Sequence, residues 1–407
     1  MIMKMRGSLL KAGTLLAALL VLPVMLWAQA SAGVEPIRVG VTVSLSGDYA
    51  AQGNEQLQGI QMWAHDLNAR GALLGRPVEI VYYDDKSSAE TSEALYERLI
   101  SKDKVDLLLG PYSSGLTLAA SRMAEKYHFP MVATGAASTD IWSRGNKEIF
   151  QVDAPADTYM DLVITSAKKA GLTTIALLYE NADFTRQVAE GVRVQAAKQG
   201  MEIVFDEQYA QDTSDFAAPV GRMRAVNPDV VIGGTYLNGS IAIMKQAKKS
   251  GLSPRAFVFT VGPALPEFGQ ELGADAEGVL GVVAWMAAAH MPMALDFAFR
   301  FRERYGETAS VYAAYGYGAG QVLEAGVRLA GSLDRDAIRM QLGHMKFRSI
   351  LGAYHVDDTG KQLDKKTYVM QWQQGERRLV LPRELRDSPI QYPFKPWSER
   401  QAVLLKK

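Results

Sequence analysis

The chain has 407 residues, 48% of them hydrophobic, with 44 basic side chains set against 44 acidic ones. It carries no cysteine, which excludes disulfides and a thiol-anchored lipoprotein, so any exported domain must stand on its own core. No block of basic residues appears, which argues against a nucleic-acid partner, and the length is enough for two domains.

The chain opens with Lys4 and Arg6, follows with an apolar block from Leu9 to Leu26, and then sets small residues at Ala28, Ala30 and Ala32. These are the three parts of a secretory signal peptide, read over residues 1–30 with cleavage after Ala30 or Ala32. The alternative is a transmembrane anchor. The apolar run is at the lower edge of a bilayer-spanning length and Pro23 interrupts it. Cleavage after Ala30 leaves 377 residues and removes Lys4, Arg6 and Lys11, giving a net charge of −3.

From residue 37 short β-branched runs alternate with helical spacing. Strands are predicted at 37–44, 78–83, 105–109 and 131–133, and helices at 56–70, 89–102 and 116–127. The alternation restarts with helices at 159–170, 185–199, 216–226 and 240–250, and strands at 174–179, 203–207, 230–233 and 256–260. This order implies an α/β fold of two doubly wound units, each with a parallel central sheet. A helical block follows at 296–305 and 312–330, then a tail of short strand-like runs from residue 350 that ends rich in proline and charge.

Ligands of open α/β sheets bind beyond the carboxyl ends of the strands. That directs attention to the loops 44–53, 110–115, 134–139, 180–185, 233–239 and 260–265. Gly110-Pro111-Tyr112-Ser113-Ser114-Gly115 follows a buried strand and opens a helix. Its free N–H groups suit an anion such as a carboxylate, although Ser113 or Ser114 as a plain N-cap explains the motif equally well. The loop from Thr134 to Thr139 has the same character. Asp84-Asp85 reads as a solvated loop and not a metal site, and His65, His128, His290, His344 and His355 are scattered. Gly316-Tyr317-Gly318-Ala319-Gly320 lies within a helical pattern, where small residues permit close packing and bind no dinucleotide. With no phosphate loop and no Gly-x-Ser-x-Gly elbow, nothing supports an enzyme, and no cofactor or metal is expected.

Val41-Thr42-Val43-Ser44-Leu45-Ser46-Gly47, Gly53, Gly59, Asn68-Ala69-Arg70-Gly71 and Leu74-Gly75-Arg76-Pro77-Val78 together resemble the opening of the type I periplasmic solute-binding proteins. The branch they look most like is the branched-chain amino-acid-binding group (Leu/Ile/Val-binding-like) of ABC importers. Tyr83-Asp84-Asp85, Leu109-Gly110-Pro111 and Tyr312-Ala313-Ala314-Tyr315-Gly316 also match, and the resemblance spans about residues 36–369. It implies two lobes that close by a hinge, with crossovers near 152–156, 281–287 and 351–355. Lobe one is then 36–153 with 285–351, lobe two 154–284 with 352–390, and 391–407 a peripheral tail. The implied setting is a periplasmic monomer that serves a membrane permease.

The resemblance further implies that Ser113, Ser114, Ala136, Ala137 and Ser138 hold a solute carboxylate. Tyr49 and Gln52 stand at a side wall, and Phe184 and Tyr236 come from lobe two. Two residues depart from the family pattern. Ala264 occupies the place of the acid that pairs with a solute ammonium, and Phe184 stands where a tyrosine is common. Burying an ammonium without a counter-charge costs several kcal/mol. Either Asp183 or Glu267 replaces the acid for a branched-chain amino acid, or the solute is an aromatic or aliphatic carboxylate without an amino group. A periplasmic sensor subunit is a further alternative.

Overall fold

The structure is a computed structural model that describes residues 34–287 and 292–400. The signal peptide read at 1–30 and the last residues of the tail, 401–407, lie outside the described residues.

The first sheet has five parallel strands: β1 (Ile37–Val43), β2 (Val78–Asp84), β3 (Leu107–Leu109), β4 (Met131–Ala133) and β5 (Ile149–Gln151). They stand in the order β2-β1-β3-β4-β5. Helices α1 (Ala50–Ala69), α2 (Ala89–Ser101), α3 (Ser114–Lys126) and α4 (Asp140–Ser143) connect them. Strands β1, β3 and β4 are buried almost throughout, as expected of parallel strands covered on both faces.

A second alternating run begins with α5 (Asp161–Lys169). It continues through β6 (Thr174–Glu180), α6 (Asp183–Gln199), β7 (Glu202–Tyr209), α7 (Ala217–Val226), β8 (Val230–Gly234), α8 (Leu237–Ser250), β9 (Ala256–Phe259), α9 (Pro266–Leu272) and β10 (Leu280–Val283). Then come α10 (Pro292–Tyr305), α11 (Val311–Ala330), α12 (Arg335–His344) and a small hairpin of β11 (Phe347–Ser349) and β12 (Gly352–Tyr354). A last hairpin, β13 (Tyr368–Gln373) and β14 (Glu376–Leu381), adds antiparallel to β10. The second sheet therefore runs β14-β13-β10-β9-β8-β6-β7.

Helix α11 comes late in the chain yet packs against α1 beside the first sheet. Backbones touch where they cross: a Cβ on Gly59 would lie 1.9 Å from the Ala313 carbonyl oxygen, and one on Gly316 would lie 2.2 Å from that of Gln56. Only glycine fits at either position, so this glycine run serves packing.

Several elements differ from their sequence expectation. Helix α1 begins at Ala50 and not at 56, because Tyr49 makes no side-chain cap that would mark the start. Strands β5 and β10 and helix α12 went unread. Each strand is only three or four residues long, and α12 has just two buried residues. Of the stretch 281–287, expected as a crossing, residues 281–283 belong to β10, a full member of the second sheet. The tail, expected to be peripheral, is docked at its described end. Phe394 is buried, its ring lies 4.8 Å from that of Phe257 on β9, and its N–H donates to Arg255 O at 2.8 Å.

Candidate functional site

The loops after β3 and β4 form one unit. Ser113 is the N-cap of α3, and its Oγ accepts from the Leu116 N–H at 3.3 Å. Its backbone sits at φ 75, ψ 149, a region populated almost only by glycine, so the residue stores strain of order 1–3 kcal/mol. Ser114 Oγ accepts from two N–H groups of the neighbouring loop, Ala137 at 3.1 Å and Ser138 at 3.0 Å. Behind them Thr134 Oγ1 donates to Gly110 O at 2.7 Å, and the Gln56 amide donates to that same Thr134 oxygen. Because Ser114 Oγ already accepts twice, its own proton is left to donate. The Ser114 and Gly115 N–H groups, at the start of α3, meet no acceptor among the described residues. The Ser114 hydroxyl and N–H thus stand at the cavity wall, at the positive end of a helix where an anion is favoured.

Aromatic rings wall the space in front of these donors. Tyr112 stands edge-on to Tyr49 at 5.6 Å and to Tyr312 at 5.2 Å. Tyr159 is edge-on to Phe184 at 5.1 Å, and Tyr49 meets Tyr236 at 5.2 Å. The rings stand around a cavity that Val282, Val283 and Val311 also line. The two sheets' loops meet across it. Beyond the Tyr49–Tyr236 contact, Thr139 Oγ1 donates to Gln187 Oε1 at 2.7 Å, and Gln187 Nε2 donates to Asp140 Oδ1 at 2.9 Å. A Cβ on Gly115 would lie 3.3 Å from an Asp183 carboxylate oxygen, so Asp183 of α6 sits close over the start of α3.

One acid lines the cavity, Asp153, and it accepts from two neighbours. The Tyr159 hydroxyl reaches Oδ1 at 3.0 Å and Oδ2 at 2.9 Å, and the Ala154 N–H reaches Oδ1 at 2.6 Å. Burial pushes the Asp153 carboxyl up, against the pull of the Tyr315 and Tyr159 hydroxyls. Burial pulls the Lys365 ammonium down, while the charge of Asp153 holds it up. Lys365 Nζ donates to Leu351 O, which ties the segment after β12 to the turn between β11 and β12.

Of the residues expected from sequence, Ser113, Ser114, Ala137, Phe184, Tyr236 and Ala264 line the cavity. Tyr49 does not line it but backs two of the rings that do. Ala136 and Ser138 are fully buried behind the wall; Ser138 contributes its N–H to Ser114, and its Oγ has no partner. Gln52 is buried on α1 away from the lining, since the early start of α1 turns it into the interior. Neither Asp183 nor Glu267 reaches the lining. Sequence reasoning missed Tyr112, Asp153, Tyr159, Tyr312 and Tyr315. Tyr312 and Tyr315 are three apart on α11 and so share a face, a signal that could have flagged them once α11 was known to pack on α1.

A family model described as periplasmic binding protein matches residues 36–377. Leu/Ile/Val-binding protein homolog 7 of Brucella abortus is 26% identical over 379 residues, covering 88% of this chain and 94% of its own length. The crystal structure of the leucine binding protein LivK from Thermotoga maritima superposes with a TM-score of 0.79 at 23% identity, covering 86% of this chain and all of its own. A solute binding protein of an ABC transporter from R. palustris, solved in complex with benzoate, superposes with a TM-score of 0.75 at 19% identity and covers 92% of this chain. At these identities the likeness to the two solved structures is one of fold.

Proposed function

This chain belongs to the periplasmic binding protein family, and from that premise we propose that it is the solute receptor of an ABC importer, holding a small carboxylate between two hinged lobes. The lobes are 36–153 with 285–351 and 154–284 with 352–390. Residues 1–30 are a signal peptide, the mature protein is a periplasmic monomer, and a membrane permease is its partner. The curated relatives named for leucine, isoleucine and valine support the transport role.

The observation that carries the ligand reading is the polarity of the cavity: the Ser113-Ser114 loop at one end, aromatic and aliphatic walls, and a single carboxylate, Asp153, already engaged by Tyr159 and the Ala154 N–H. Ala264 leaves the opposite wall apolar. The solute is accordingly an aromatic or aliphatic carboxylate without an amino group, its carboxylate on Ser113, Ser114 and the start of α3. The benzoate complex of a protein with the same fold is consistent with that class. A second reading, a branched-chain amino acid, has one observation in its favour: Asp153 does line the cavity.

A thermal-shift panel of amino acids and of aromatic and aliphatic acids tests the proposal. A ligand at 100 times its dissociation constant adds about 2.7 kcal/mol of stability. A shift with simple acids is expected, and no shift with any small carboxylate overturns the reading.

A further inference from the structure

A second cavity, of about 180 Å³, adjoins the first and shares Ala264, Val283 and Val311 with it as walls. Trp285 and Met370 make much of the remainder apolar, and among the described residues the one charged side chain in its lining is Arg377, on β14. The turn that carries Ala264 is gripped by the last hairpin. Trp372, paired in register with Arg377, donates its indole N–H to Pro263 O at 3.0 Å, and Arg377 Nη1 donates to Ala264 O.

That single bond is the one hydrogen bond the guanidinium makes among the described residues, and no carboxylate lies within ion-pairing distance of it. Glu55 and Glu267 act on it only through longer-range attraction. Glu55 is also a weak competitor at neutral pH: burial pushes its carboxyl up to about 7, and its Oε2 accepts from Ser310 Oγ. An arginine has five N–H donors in a planar fork that matches a carboxylate in two parallel bonds. Four of those donors remain available at the wall of an otherwise apolar chamber.

We propose that the solute site is bipartite: one carboxylate rests on Ser113, Ser114 and the start of α3, and a second, at the far end of the same solute, pairs with Arg377. The preferred solute is then an α,ω-dicarboxylate with an apolar or aromatic middle that passes between Ala264 and Val311. This rests on the reading of the serine loop as a carboxylate site.

Isothermal titration at about pH 6.5, where both solute carboxyls are largely ionised and the Glu55 carboxyl is mostly protonated, compares matched pairs: hexanoate with adipate, octanoate with suberate, and benzoate with terephthalate. The wild-type protein is expected to bind the diacid of best-fitting length at least about tenfold more tightly than its monoacid. Arg377→Met is expected to abolish that preference, read as the ratio of diacid to monoacid affinity, and Arg377→Lys to retain part of it, since lysine keeps the charge without the fork. The wild-type series decides the matter even if Arg377→Met does not fold. Monoacids that bind as well as every diacid overturn the bipartite site and leave the serine-loop site standing. Absence of binding by either class overturns both.

Discussion

Replacing Ser114 by alanine separates the structural work of the serine loop from its work on a ligand. Ser114 Oγ is the acceptor for the Ala137 and Ser138 N–H groups, and both residues are buried. Each lost bond removes about 1 kcal/mol net, and each orphaned buried donor can cost up to about 3, so the variant should lose roughly 2–6 kcal/mol of stability. Ser113→Ala removes a single cap bond to Leu116, worth about 1 kcal/mol. In thermal denaturation Ser114→Ala should therefore fall further than Ser113→Ala. The ligand effect adds to this: Ser114 has a hydroxyl proton to give, and losing it from a carboxylate should weaken binding by about 1–3 kcal/mol, read by titration calorimetry with benzoate. Equal melting temperatures for the two variants would refute the two-bond role. Unchanged affinity in Ser114→Ala would place the carboxylate elsewhere.

Three further outcomes are expected. Ala264→Glu puts a carboxylate on the wall shared by both chambers, so L-leucine should gain affinity and benzoate lose it in parallel titrations; the opposite trend refutes the reading of that wall. Burial pushes the Glu180 carboxyl from 4.5 up to about 7, opposed by the Tyr209 hydroxyl and the Tyr236 N–H. The folded chain then holds this proton more tightly than the unfolded one, so the stabilisation is complete below the unfolded value and is lost as pH rises through about 7. Denaturant melts should show Glu180→Gln flattening that decline by about 2 kcal/mol, and identical pH slopes would contradict it. N-terminal sequencing of protein recovered from the periplasm should begin at Ser31 or Gly33, and an intact Met1 start would contradict cleavage.

What could be read from sequence was what depends on local periodicity. The alternation from Ile37 to Phe259 follows from continuous apolar strands and amphipathic helices, and topology then points to the strand-end loops. Even the ambiguity at Ser113-Ser114 was apt. Ser113 is the cap, while Ser114 pins the next loop and keeps a proton to give. What stayed hidden depends on contacts far apart in sequence. Tyr312 and Tyr315 reach the cavity only because α11 returns to α1, where Gly59 and Gly316 let the backbones touch. Asp153 acts on Lys365 by charge across more than half of the chain, and Arg377 arrives on a hairpin that looks like tail in the sequence. Gln52 was misjudged because no cap signal marks the true start of α1, so its burial could not be foreseen.

The central claim is that this receptor holds a carboxylate and offers no partner to an ammonium. 4-Methylpentanoate and L-leucine share a carbon skeleton and differ only by the α-ammonium. Titration of both into the wild-type protein should give the simple acid at least about tenfold tighter binding, as expected when an ammonium is buried without a counter-charge. Tighter binding of L-leucine would contradict the account and make Asp153 the ammonium's partner.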